Sequence, residues 1–304
     1  MVNRRSFIRQ SSALAGGVLL GTNVFAHYQP NPQLSFSTLG CPKWTLRQIL
    51  EFGVKNGYNG IEIRGILGEM DLTKREEFNT PSAIAATKKQ FSEKGLKIVN
   101  LGSSAEMHHS DLAKRRLQLD SAKQFIDLAA GLACPFIRVF PNAFPKDQGK
   151  PETIDLIIDG LLQLGNYAKG SGVTVLLETH GDIVVTEDLL YIMKHAAGPN
   201  VGLIWDFYNM WTITQEAPAE VYSKLAPYIR HTHLKDSKKT DGKESYVFLG
   251  QGDGPAAEAI TALRKGGYKG FYSFEWEKMW HPEIAEPELA LADFPMAFKK
   301  IFKS

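Results

Sequence analysis

The sequence predicts an α/β chain closed into a single (β/α)8 barrel over residues 27–304. Three observations point to it. Eight short, nearly all-apolar runs recur, each bounded by turn residues, as expected of strands buried on both faces in a parallel sheet. A segment of helical period follows each run, and 304 residues accommodate the ~250 typical of such a barrel. No Gly-rich fingerprint follows the first run, as a dinucleotide-binding open sheet would require.

In chain order, LSFSTLGC (34–41) is the first strand, and Thr45 to Asn56 has helical spacing ended by Gly57. GIEIRG (60–65) is the second, followed by a helix from Pro81, a residue suited to a first turn, to Lys94. LKIVNLGS (96–103) precedes an amphipathic run from Asp111 to Leu132, and FIRVFP (136–141) precedes a helix from Glu152 to Lys169. VTVLLE, from Val173 to Glu178, is the fifth strand, with its helix from Glu187 to Ala196. VGLIWD (201–206) is followed by a helix between Ala219 and Ala226. IRHTHLKD (229–236) leads into a polar loop, Ser237 to Gly254, and a helix from Ala256 to Lys265. GFYSFEWE (270–277) is the last strand, and a helix from Pro287 to Phe302 ends the chain.

The first 26 residues stand apart. Arg4, Arg5 and Arg9 form a basic head, a modestly apolar stretch runs from Ser11 to Phe25, and Val24-Phe25-Ala26 offers a cleavage site. The Arg-Arg-x-Phe-Ile pattern is similar to a twin-arginine signal, so the expected location is periplasmic or secreted. Formal charge is +2, and removing those three arginines leaves 32 basic against 33 acidic residues. Such a balance excludes an electrostatic footprint for nucleic acid or for a membrane surface once the leader is gone. Cys41 and Cys134, both on or beside core strands, read as buried thiols rather than a bridge.

Chemistry in such barrels gathers at the C-terminal strand ends. The last four strands end there in Glu178, Asp206, His233 and Glu275, one from each strand. A lone carboxylate at the end of a core strand is costly to dehydrate unless a cation or hydrogen bonds meet it. Three carboxylates and one imidazole suit a divalent ion, Mn2+ or Mg2+ before Zn2+, with Co2+ also compatible. Alternation places His231, His233 and Lys235 on one face of the seventh strand, and Ser273, Glu275 and Glu277 on one face of the eighth.

LLETHGD, IWDFYN, HTHLKD and GYKGFYSFEWE resemble the metal-binding segments of the sugar phosphate isomerase/epimerase family, with its xylose-isomerase-like TIM barrel. The resemblance covers residues 34–302 and is most specific over 173–281. It implies a metal held by Glu178, Asp206, His233 and Glu275, with Glu178 and Glu275 also moving protons. Ketose 3-epimerases of that family carry a His three residues after the Asp ligand; here that position is Asn209, which hydrogen-bonds a hydroxyl but does not titrate.

Further candidates for substrate contact are His180, His231, Lys235, Arg138, Glu62, Trp276, His281 and, from the adjacent His108–His109 pair, His109. An ion pair between Glu62 and Arg64 and an internal salt bridge at Arg138 are the packing alternatives. Trp44 and Trp280 are candidates for an apolar wall under a sugar ring. The expected activity is a divalent-metal isomerase or epimerase on a non-phosphorylated sugar, keto-sugar or cyclitol, with the ion stabilising the enediolate left when a C–H proton departs. The alternative is a lyase on a 3-keto-sugar, keto-glycoside or inosose, which Asn209 favours. A non-catalytic sugar-binding protein is a third reading, disfavoured because binding alone needs no paired carboxylates. Homo-oligomerisation is left open.

Overall fold

The computed structural model describes residues 31–196 and 198–304. The expected export leader, residues 1–26, lies outside them. Eight parallel strands close on themselves in sequence order: β1 (Gln33–Ser37), β2 (Gly60–Ile63), β3 (Lys97–Glu106), β4 (Phe136–Phe140), β5 (Thr174–Glu178), β6 (Val201–Asp206), β7 (Ile229–Leu234) and β10 (Phe271–Phe274), the last pairing with β1. Around them lie α1 (Leu46–Lys55), α2 (Pro81–Glu93), α3 (Leu112–Leu132), α4 (Lys150–Tyr167), α5 (Thr186–Ala196), α6 (Phe207–Thr214), α7 (Pro218–Leu225), α8 (Ala256–Lys265) and α9 (Pro287–Lys303).

Local chemistry sets the helix starts. Thr45 and Gln48 form a capping box on α1, and Asp111 accepts from the Lys114 N–H at the start of α3. Proline opens α2, α7 and α9, where its missing N–H costs no helical hydrogen bond. The barrel seam is closed by packing: Phe294 of α9 stacks on Phe274 of β10 at 4.7 Å, and the Tyr58 hydroxyl donates to the Leu291 carbonyl at 2.6 Å. Cys41 and Cys134 are free and buried. Among the described residues no helix is long and apolar enough to cross a membrane.

Three local expectations change. β1 stops at Ser37, whose hydroxyl accepts from the Leu39 N–H, and the chain tightens into a 3-10 turn, Thr38–Gly40. α6 follows β6 without a loop, because the Asp206 side chain caps it. The expected loop after β7 contains a hairpin, β8 (Asp236–Thr240) and β9 (Lys243–Val247). Asp241-Gly242 joins the two strands with φ of 51° and 77°, the left-handed pair that a tight hairpin turn demands. Its outward lysines and glutamate disguised it as loop. The Asp236 carboxylate then accepts from the N–H groups of Gly250, Gly252 and Gly254, clamping the following segment.

Candidate metal centre

Glu178, Asp206, His233 and Glu275 converge at the end of the barrel, each offering a ligand atom within 4.8 Å of the others. All four are buried. Register does this: Asp206 lies opposite His233, and Ser273, two residues before Glu275, lies opposite His233 from the other side. His233 Nδ1 points at Glu275 Oε1 (3.3 Å), Glu178 Oε1 (3.4 Å) and Asp206 Oδ2 (4.0 Å). That nitrogen makes no hydrogen bond, although it is buried. A buried imidazole nitrogen without a partner, facing three carboxylate oxygens, is an arrangement that a cation would satisfy, so the donor set fits a divalent ion.

The surroundings orient these ligands. Glu62 accepts from His233 Nε2 (3.0 Å) and His231 Nε2 (2.8 Å), which fixes the His233 ring and leaves Nδ1 for the centre. Asp206 uses Oδ1 to cap α6 through the Asn209 N–H (2.9 Å), while Oδ2 faces inward toward Lys235 and His233. Thr179 Oγ1 accepts from the Asp206 N–H at 2.9 Å, pinning the end of β5 to β6. Two cations guard the carboxylates. Arg138 Nη1 lies 2.8 Å from Glu178 Oε2, and Lys235 Nζ lies 2.7, 2.8 and 2.9 Å from Asp206, Glu275 and Glu277.

Charge is short by two. Glu62, Glu178, Asp206, Glu275 and Glu277 are five buried acids, against the three buried cations Arg64, Arg138 and Lys235. In the metal-free protein, protons make up part of this deficit. Burial raises Asp206 to about 7, with Lys235 pulling the other way. Burial disfavours the His233 imidazolium, but the charges of Glu275, Glu62 and Glu178 outweigh it and raise that group well above its ordinary value. Glu178 is the converse: burial raises it, yet Arg138 and His233 hold it at about 2. Glu275 is also lowered, its burial outweighed by His233 and Lys235.

A pH dependence follows. Asp206 and His233 bind protons in the folded state that the unfolded chain has released. Their contributions are complete below the ordinary values of 3.8 and 6.5 and are lost as pH rises, through about 7 for Asp206 and beyond for His233. Glu178 works in the other window, losing its contribution as pH falls from 4.5 toward about 2. The metal-free protein should therefore melt lower at pH 8 than at pH 6, and saturating Mn2+ should raise Tm more at pH 8, where the ion competes with fewer protons. Calorimetry in both buffers checks this; an equal or larger metal-induced shift at pH 6 contradicts it.

The rim holds a second hydrogen-bonded chain. His180 Nδ1 pairs with Asn142 Oδ1 at 3.0 Å, and Asn142 Nδ2 donates to Glu106, whose other oxygen meets His109 Nε2 at 2.8 Å. Because the Asn142 carbonyl can only accept, His180 carries its proton on Nδ1 and keeps a lone pair on Nε2. Burial also lowers the His180 pKa, favouring the neutral ring. Gly181 makes the turn possible: φ is +64°, and a Cβ there would sit 2.0 Å from the Asn142 carbonyl oxygen.

Several candidates fall elsewhere. His231 is fully buried and serves Glu62 rather than a substrate. Trp276 faces the core, stacked on Phe274, with its indole N–H on the Ala285 carbonyl; it lies on the opposite strand face to Glu275. Glu62 pairs with the two histidines and not with Arg64, whose guanidinium reaches the Gly102 carbonyl and Ser104. Arg138 makes the internal salt bridge. Trp44 packs on Phe52, Trp280 is exposed, and His281 packs on Tyr246 beside Glu283. Asn209 Nδ2 donates to the Thr179 carbonyl. Glu277, Asn142 and Glu106 were not singled out; only alternation along the eighth strand pointed to Glu277.

Comparison with known proteins is consistent with this geometry. A family model described as xylose isomerase-like TIM barrel matches residues 50–295. An inosose dehydratase from Geobacillus thermodenitrificans (strain NG80-2) is 32% identical over 156 residues, 45% of this chain and 50% of the relative. A 3-dehydroshikimate dehydratase from Bacillus anthracis is 23% identical over 196 residues, 64% of this chain and 67% of the relative. The match thus spans about half the length of the inosose dehydratase. Among solved structures, the IOLI protein with a zinc atom superposes with a TM-score of 0.74 at 19% identity, over 89% of this chain and 98% of that one, a likeness of fold.

Proposed function

The chain belongs to the xylose isomerase-like TIM barrel family, and from that premise we propose that it is a divalent-metal-dependent lyase. Its substrate class is a non-phosphorylated polyhydroxylated ketone: a keto-sugar, keto-glycoside or inosose. Glu178, Asp206, His233 and Glu275 hold the ion, with Mn2+ or Mg2+ favoured by the oxygen-rich donor set. When bound, the ion supplies Lewis-acid polarisation of the substrate carbonyl.

The observation that carries the choice of lyase is the asymmetry of the proton-transfer groups. Epimerisation needs two bases, one on each side of a carbon. Here Glu178 gives Oε2 to Arg138 and Glu275 gives Oε2 to Lys235, each at 2.8 Å, and with His233 beside them those cations hold both carboxyls below the ordinary range. Carboxylates so acidic are poor bases near neutral pH. His180 is a neutral base at the rim, its Nδ1–H held by Asn142, with the charges of Glu178, Lys235, Arg138 and Glu275 close enough to act on it. One imidazole suffices for elimination. It takes the proton from the carbon beside the carbonyl, the β-carbon–oxygen bond breaks, and the same proton leaves with the departing oxygen as water or an alcohol. A conjugated double bond remains. The sequence likeness to two dehydratases supports the same reading, and the twin-arginine-type leader supports a periplasmic or secreted setting.

The test is proton NMR in D2O of metal-loaded protein with keto-sugars, 3-keto-glycosides and inososes. Loss of water or aglycone with a new vinylic signal is expected, and His180→Gln should lower kcat by ~10²–10⁴-fold while retaining metal. Deuterium wash-in with an intact skeleton would instead favour an epimerase.

A further inference from the structure

A second group of metal-type donors lies outside the centre described above. Glu106 ends β3, and His108 and His109 follow it before α3 begins; their ligand atoms also lie within 4.8 Å of one another. The backbone under them is pinned on three sides. The Glu106 N–H donates to Gln118 Oε1 (2.9 Å), the Met107 N–H to the Phe140 carbonyl (2.9 Å), and Gln148 Nε2 to the His108 carbonyl (2.9 Å).

The independent sign of a ligand is His108. It is 7% exposed, and its Nδ1 is buried with no hydrogen-bond partner. An imidazole presents a lone pair from whichever ring nitrogen carries no proton, so a buried Nδ1 without a partner can serve as a ligand atom. Such an orphan is costly when buried unless a cation or water meets it. The His109 ring stands 4.0 Å from that of His108, and its Nε2 lies 2.8 Å from Glu106 Oε2. Asn142 holds the other Glu106 oxygen, so Oε2 is the one presented to the histidines.

We propose that Glu106, His108 and His109 form a second cation site, separate from the four-residue centre. Two imidazoles and one carboxylate with an open fourth position make an open tetrahedral zinc-type set, softer than the three-carboxylate centre. The expected occupant is a borderline divalent ion of the Zn2+ or Co2+ kind, not Mn2+ or Mg2+. Bound there, the ion holds Glu106 and, through Asn142, the ring of His180. The site does not depend on which reaction the barrel performs.

The full chain, stripped with chelator and dialysed against Zn2+, tests this by elemental counting. Two zinc equivalents per chain are expected for the wild type, one for the double variant His108→Asn/His109→Asn, and one for Asp206→Asn/Glu275→Gln. A single equivalent in the wild type, or unchanged zinc in the histidine variant, overturns the proposal. Should the centre variant unfold, the Co2+ visible spectrum of wild type against the histidine variant decides. Loss of an intense tetrahedral band on substitution supports the site, and superimposable spectra overturn it.

Discussion

Glu178→Gln should strip the bound ion and lower kcat/KM by about 10³-fold or more, equivalent to ~4 kcal/mol of transition-state stabilisation. The substitution keeps the volume of the side chain and removes its charge. Glu178 presents Oε1 to the cluster, 3.4 Å from His233 Nδ1, and gives Oε2 to Arg138 at 2.8 Å. A neutral amide is a weaker ligand and leaves the buried guanidinium opposed only by Glu275, 4.0 Å away. Metal content measured beside the kinetics separates two roles. Loss of metal and activity together marks a ligand, whereas full metal occupancy with lost activity would mark a base and restore the two-carboxylate epimerase reading.

The second large effect concerns folding. Lys235→Met is expected to destabilise the protein by about 3–5 kcal/mol, the usual cost of breaking a buried pair from one side. Three acids, Asp206, Glu275 and Glu277, lie within 2.9 Å of that ammonium and would share a dry site without it. On a barrel of this size the melting temperature should fall on the order of 10 °C. Lys89→Ala is the control, because the Lys89–Glu93 pair is 76% and 61% exposed and should leave the melt unchanged. A Lys235→Met protein that melts with the wild type would mean that those acids are already protonated or already neutralised by another cation.

Most of the barrel was legible because parallel strands buried on both faces read as apolar runs, and the eight runs fall on the eight barrel strands. The four centre residues were legible for a related reason: a charged residue directly after an apolar strand has no packing role. What escaped was chemistry with two simultaneous uses. Asp206 is both a helix cap and an inward-facing carboxylate, and reading it only as a ligand hides the helix α6 that it starts. Glu62 was read against Arg64, its neighbour in sequence, whereas closure of the barrel brings it to His231 and His233 across 169 and 171 residues. Trp276 adjoins Glu275 in sequence, so alternation turns it away from the centre and onto Phe274. Asn142 gave no periodic signal at all, since it stands on a connection in the left-handed region, with φ of 57°.

The most direct test of the central claim is an anomalous-difference map from crystals of the Mn2+-loaded protein, collected at the manganese edge. One peak is expected among Glu178, Asp206, His233 and Glu275, about 2.0–2.3 Å from an oxygen or Nδ1 of each. A map with no peak there, the ammonium of Lys235 and a protonated His233 still neutralising the acids, would contradict it.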